Sequence, residues 1–221
     1  AIGSAFNEGN GWSSGASKLY ETISMDFLYT NPDNIVTFPD NHDGDRFYSI
    51  LGKDLRKYKM AMSFLLTTRG APQIYYGTEI LMTGLEHDGH GFIREDFPGG
   101  WPNDGVNAFT GMGLSEEQAD AQAFTKALLN WRKNSKAIKQ GKLKHYIPEE
   151  GVYVYFRYLQ DEAVMVIINN NEESRTFKTD RFSENLDGYS SGTDIITRTY
   201  FDQLRMISVP AMTARVIELK K

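Results

Sequence analysis

At 221 residues, the chain is long enough for one large domain or two small ones with a substantial interior. Its 24 Lys and Arg are outnumbered by 29 Asp and Glu, for a net charge of -5. The cations are dispersed among acids, which argues against a nucleic-acid surface. Cys is absent, which excludes a disulfide framework, a thiol nucleophile and a Cys-type zinc site, and no apolar run has the length of a membrane span.

The chain opens on Ala1-Ile2-Gly3-Ser4-Ala5-Phe6-Asn7, which has neither the basic start nor the apolar stretch of a signal peptide. It begins mid-pattern, and we expect it to be a piece of something longer. Residues 9–16 are a Gly-, Ser- and Asn-rich loop by composition. From Ser17 to Tyr29, the apolar positions Leu19, Tyr20, Ile23, Phe27 and Leu28 predict an amphipathic helix, stopped by Asn31-Pro32-Asp33. Ile35 to Phe38 reads as a short buried strand that runs directly into a polar cluster. Lys53 to Thr68 predicts a second helix with Asp54 as N-cap. Gly70-Ala71-Pro72 breaks it, and Gln73-Ile74-Tyr75-Tyr76 reads as another buried strand. Helix, strand, helix, strand is the alternation of a parallel βα sheet.

A long loop rich in Gly, His, Asp and Pro occupies residues 84–113; loops of that length inside a domain are usually functional or disordered. Ser115-Glu116-Glu117-Gln118 has the form of a capping box and predicts a helix from Glu116 to about Asn134. After Gly141 the texture changes. Val152 to Tyr158 and Ala163 to Asn169 are β-rich runs around a Gln160-Asp161-Glu162 turn. Further strands are expected at Arg175 to Thr179, Ile195 to Thr197, Met206 to Val209 and Ala214 to Leu219, which together suggest a small antiparallel sandwich. The domain boundary is placed near Gly141, giving units 1–140 and 141–221.

The residues most suited to chemistry follow the first strand: Asp40-Asn41-His42-Asp43-Gly44-Asp45-Arg46. A strand that ends in reactive side chains is how parallel α/β enzymes present catalytic groups. Neighbouring side chains at a strand end point to different sides, so the cluster cannot all face one site. Asp43, beside a His donor and within reach of Arg46, suits a carboxylate that stabilises positive charge or holds hydroxyls better than a general acid. The competing reading is a plain polar turn. Asp40, Asp43 and Asp45 lack the spacing and terminal Glu of a calcium loop. His87-Asp88-Gly89-His90 is a weak metal signal, because it lies in a Gly-rich loop without a third distant ligand, and 187–194 reads as a turn. We expect no metal and no cofactor.

Phe38-Pro39-Asp40-Asn41-His42-Asp43 followed by Arg46 resembles the last motif of the α-amylase superfamily of glycoside hydrolases, at the seventh strand of its barrel. Gly70 to Glu79 resembles the eighth strand, and the one-helix spacing between the two agrees. Gly91-Phe92-Ile93-Arg94-Glu95-Asp96-Phe97-Pro98-Gly99-Gly100-Trp101 is similar to a segment of bacterial cyclomaltodextrinases and neopullulanases, and the terminal β region resembles the family's C-terminal domain. The resemblance implies the C-terminal part of a (β/α)8 TIM barrel, from the sixth helix to the eighth, followed by an antiparallel β-sandwich. It implies that Asp43 is the third catalytic carboxylate, a transition-state stabiliser, and that Asn41, His42, Arg46 and Arg94 serve substrate binding, with Arg46 also fixing the loop. The implied substrate is an α-1,4-linked glucan, as in cyclodextrins, pullulan or starch oligosaccharides; the alternative reading is a non-catalytic carbohydrate-binding or structural module. The nucleophile and the acid of a retaining glycosidase have no matching motif here, which implies a partner in the missing N-terminal part of the same enzyme and an inactive isolated chain. The open edge of so small a sheet also implies association, including a homo-oligomer. No nucleic-acid or membrane partner is expected, and an extracytoplasmic location is favoured over the cytoplasm.

Overall fold

The computed structural model describes residues 2–221. The first half is a layer of helices around a very small parallel sheet. Helices α1 (Ile2–Asn7) and α2 (Ser17–Ser24) lead through a 3-10 turn at Met25–Leu28 to strand β1 (Val36–Thr37). Helix α3 (Phe47–Ile50) follows the polar cluster, then α4 (Leu55–Thr67) returns the chain to β2 (Ala71–Pro72). Helix α5 (His90–Ile93) sits in the long loop, and α6 (Glu116–Asn134) and α7 (Lys136–Gln140) close the helical half.

Helix α4 is the centre of this layer. Asp54 caps it by accepting from Arg56 N at 2.8 Å, satisfying a donor that the first turn leaves without an intrahelical partner. From Met60 to Thr67 every side chain is buried, because the helix is covered on two sides. One side meets α6, where Tyr58 Oη and Thr125 Oγ1 are 2.8 Å apart; the other meets the large sheet described below. At its C-terminal end Arg132 Nη1 donates to Leu66 O, satisfying a terminal carbonyl with a cation. Helix α6 begins with the expected capping box, in which Ser115 and Gln118 bond each other's backbone N–H.

β1 and β2 pair in parallel, Val36 opposite Ala71 and Thr37 opposite Pro72, with Ala71 N donating to Ile35 O at 2.9 Å and Gln73 N to Thr37 O at 2.8 Å. Gly70 makes the entry possible: its φ is +93°, and a Cβ there would lie 2.6 Å from Ile35 O. The strands are shorter and less buried than the sequence predicts. Val36 and Phe38 are each about half exposed, since β1 has a neighbour on one edge only, and 74–76 leaves the ladder for the same reason. Likewise the helix expected to Tyr29 ends at Ser24, leaving Phe27 and Leu28 exposed.

The second half is antiparallel. Strands β3 (Lys142–His145), β4 (Val152–Leu159), β5 (Glu162–Asn169), β6 (Arg175–Lys178), helix α8 (Ser183–Leu186), β7 (Ser191–Asp194), β8 (Tyr200–Phe201), β9 (Met206–Val209) and β10 (Thr213–Lys220) follow in order. They form a six-stranded sheet, β3-β4-β5-β10-β7-β8, and a two-stranded one, β6-β9. Alternation sorts β4 between two cores. Tyr153 and Tyr155 face the helices, where Phe64 meets both rings, whereas Val152, Val154 and Phe156 pack with Ile207 and Val209 of the small sheet. Burial on both faces explains why β4 and β5 read as nearly continuous apolar runs. The expected strand at Ile195 to Thr197 is instead a turn, because buried Asp194 accepts from Ile196 N at 3.0 Å and pairs with Arg215 at 2.9 Å.

Candidate functional site at the end of the first strand

The polar cluster lies where β1 ends, and its side chains divide into a buried layer and an exposed one. Asp40 is buried. One of its oxygens accepts from Phe47 N at 2.9 Å, and Thr78 Oγ1 donates to the carboxylate at 2.9 Å. Asp40 therefore ties the loop after β1 both to the first turn of α3 and to the chain after β2. Burial pushes its carboxyl above the usual carboxylate range, opposed by the two hydrogen bonds and by Arg46.

Arg46 lies in the same layer with no exposed surface. Its guanidinium donates to Tyr76 O and packs over the rings of Tyr75 and Tyr76, 4.2 and 4.8 Å from their centroids. This corrects the expectation that Arg46 contacts substrate. Its side chain is buried against the Tyr75–Tyr76 segment, and it fixes the loop against the chain after β2, the role expected for it beside substrate contact.

Asn41, His42 and Asp43 form the upper layer. Asn41 Oδ1 accepts from Asp43 N at 2.8 Å, a local turn that turns the Asp43 side chain outward. Asp43 is well exposed, with His42 Nε2 3.2 Å from one oxygen and Arg94 Nη2 3.1 Å from the other. Arg94 also donates from Nε to His42 O at 2.8 Å and lies 3.3 Å from His90 Nδ1. The cation beside Asp43 is thus Arg94, from a residue 51 positions away, rather than the near neighbour Arg46. An exposed carboxylate with an imidazole on one side and a guanidinium on the other can hold vicinal hydroxyls and oppose positive charge in a ligand above it.

The long loop that delivers Arg94 is built rather than slack. Asp45 Oδ1 accepts from Glu86 N at 2.7 Å, Arg46 N donates to Gly84 O at 3.0 Å, and Ile93 is fully buried. Asp104 gathers Gly99 N and Trp101 N at 2.7 and 3.1 Å, and the Trp101 indole N–H donates to Asp96. Tyr76 Oη donates to Glu95 O, linking this loop to the end of the β2 segment. Among the described residues, His87 pairs with its neighbour Asp88 alone. Asp40 is among the sequence candidates but not in this supporting role, and Thr78 is not singled out there at all. The one signal for Asp40 is that neighbouring side chains at a strand end cannot all face one site.

Helices α2 to α7, the parallel pair and the Asn41–Asp43 corner fall within residues 7–146, which match the model of the α-amylase catalytic domain. The chain belongs to the α-amylase family. Residues 143–218 match the cyclo-malto-dextrinase C-terminal domain. Among curated relatives, a cyclomaltodextrin glucanotransferase of Geobacillus stearothermophilus is 32% identical over 90% of this chain but only 23% of its own length. An α-amylase of Niallia circulans is 31% identical over 75% of the chain and 28% of its own length. This α-amylase-family chain therefore spans about a quarter of such relatives. Solved structures agree on the fold. AmyP in complex with maltose superposes with a TM-score of 0.77 at 18% identity, covering 98% of this chain and 47% of that one. The α-amylase of Geobacillus thermoleovorans complexed with acarbose gives 0.72 at 24%, covering 92% and 43%.

Proposed function

We propose that this chain carries the third-carboxylate corner of a retaining α-glucan-active enzyme, acting on α-1,4-glucosidic bonds of cyclodextrins, pullulan or starch oligosaccharides in the manner of a cyclomaltodextrinase or neopullulanase. The observation that carries the reading is the exposed Asp43 carboxylate at the end of a parallel strand, held between His42 and Arg94. Asp43 would bind two neighbouring sugar hydroxyls and favour the oxocarbenium-like transition state, in which positive charge develops on the ring. His42 would donate to a hydroxyl of the same sugar, and Arg94 would orient Asp43 while reaching the adjoining ring. Asn41 would act through the backbone turn that aims Asp43.

Residues 1–140 serve in this reading as the closing strands and helices of a (β/α)8 barrel, and residues 141–221 as the domain that follows it. The nucleophile and the general acid would come from a preceding part of the same enzyme, so the 221-residue chain alone would not cleave glycosides. The covalent intermediate of a retaining enzyme passes the sugar to water or to a sugar acceptor; the glucanotransferase relatives keep transfer open as the second outcome. In the full-length enzyme, Asp43→Asn should lower kcat on β-cyclodextrin by about a hundredfold to a thousandfold, the range for loss of one transition-state electrostatic contact. Wild-type turnover in that variant would remove Asp43 from the mechanism.

A further inference from the structure

We infer that His90 is a positioning residue of the strand-end site: its imidazole accepts from Arg94 and holds the guanidinium that in turn holds the Asp43 carboxylate. The inference rests on the role proposed above for Asp43. It also gives a purpose to a histidine that the sequence offers only as a weak metal signal.

The direction of the contact follows from the chemistry of the pair. Arg94 Nη2 lies 3.3 Å from His90 Nδ1, and a guanidinium has donors but no acceptor. Nδ1 must therefore be bare, and the ring is the neutral tautomer with its N–H at Nε2. The two protons of Nη2 then serve Asp43 Oδ1 at 3.1 Å and His90, while Nε donates to His42 O at 2.8 Å. Asp43 and His42 both belong to the loop after β1, so neither can hold Arg94 to its own segment. His90 can, because it stands four positions before Arg94, across the single turn of α5. It ties a long, nearly half-exposed side chain to that helix, and so limits the rotamer freedom that an Arg otherwise keeps. A metal ion at His90 is disfavoured by the guanidinium already against its Nδ1.

The frame that carries His90 is itself fixed. Ile93 is fully buried. The backbone of α5 lies so close to Gly84 that a Cβ there would be 2.4 Å from Phe92 O, and Gly84 N donates to Ser49 Oγ of α3 at 3.0 Å. The helix thus keeps a set distance from the strand-end loop, and the freedom that remains lies in the side chains. With His90 accepting, Asp43 is gripped on both oxygens, by Arg94 on one and His42 on the other. Without it, the guanidinium can swing toward solvent and release Oδ1. A carboxylate that must meet charge developing in a transition state acts best when its orientation is set beforehand. His90 therefore affects turnover more than binding.

The test is kinetic and uses the full-length enzyme on β-cyclodextrin. His90→Leu removes the acceptor at similar size and should lower kcat by about three- to tenfold with KM nearly unchanged, the effect of losing one modest hydrogen bond. His90→Asn puts its amide Oδ1 where Nδ1 lies and should restore most of the loss. Because His90 is exposed, neither substitution should move the melting temperature, which separates positioning from folding. In an Arg94→Leu background, His90→Leu should cost nothing further, since its effect travels through Arg94. The inference is overturned if His90→Leu turns over as wild type, if His90→Asn is no better than His90→Leu, or if the full effect of His90→Leu persists without Arg94. Asp43→Asn measured alongside separates the two readings. A crippled Asp43→Asn beside an intact His90→Leu refutes the His90 role only, whereas a fully active Asp43→Asn refutes both.

Discussion

Replacing Asp40 tests whether the buried layer under the site is what holds the strand-end corner in place. In Asp40→Ala, Phe47 N loses its acceptor at the start of α3 and Thr78 Oγ1 loses its own. A buried donor left without a partner costs about 1–3 kcal/mol. The backbone N–H cannot move to find another partner, whereas the threonine hydroxyl can rotate, so the sum should be about 3 kcal/mol. Asp40→Asn keeps an acceptor in the same place and removes the desolvation of a charge, so it should change stability by less than about 1 kcal/mol at neutral pH. The pH dependence has a definite sign. Burial raises the folded-state pKa of Asp40 above its ordinary 3.8. The native state therefore binds more protons than the unfolded chain as pH rises through the window above 3.8, and the favourable contribution present below 3.8 is lost across it. Asp40→Asn lacks this loss, so its stability relative to wild type should improve as pH rises. Urea denaturation at a series of pH values between 3 and 7 would read both effects. The reasoning fails if Asp40→Ala matches wild type within 1 kcal/mol, or if the Asn and Ala variants are equally damaged.

Two further outcomes follow from the parallel pair. Gly70→Ala places a methyl 2.6 Å from Ile35 O at a φ of +93°, where neither the pairing backbone nor the dihedral can yield cheaply. It should destabilise by about 2 kcal/mol or more, measured as a fall in the urea midpoint; an unchanged midpoint would show that the two strands can separate without penalty. The free edge of β1, with Val36 and Phe38 half exposed, should make the isolated chain associate as concentration rises. Sedimentation velocity should show a growing fraction above the monomer mass, and a single monomeric boundary at all concentrations would count against that edge being adhesive.

Much of the architecture was legible in the residues themselves, because it depends on local chemistry. Asp54 and the Ser115–Gln118 box mark helix starts through hydrogen bonds spanning two or three residues. The runs at 152–158 and 163–169 and the Gly70 break likewise mark their elements through nearby residues. So did the location of the site, since a β-branched run that turns abruptly into Asp40–Arg46 is a local pattern.

Other features depend on distant neighbours and needed the tertiary structure. Strand length is one: β1 stops at Thr37 because pairing depends on how many strands lie alongside, which no local propensity records. The roles of the two arginines are another. Arg46, three residues from Asp43, turns inward and packs against Tyr75 and Tyr76, while Arg94 crosses 51 positions to reach the carboxylate. The layer beneath, Asp40 with Thr78, joins two loops that meet only because α4 carries the chain back beside β1. The amino-acid sequence determined which side chains this strand end would offer; the tertiary fold decided which of them are buried and which exposed, because only packing sets which side of a loop is covered.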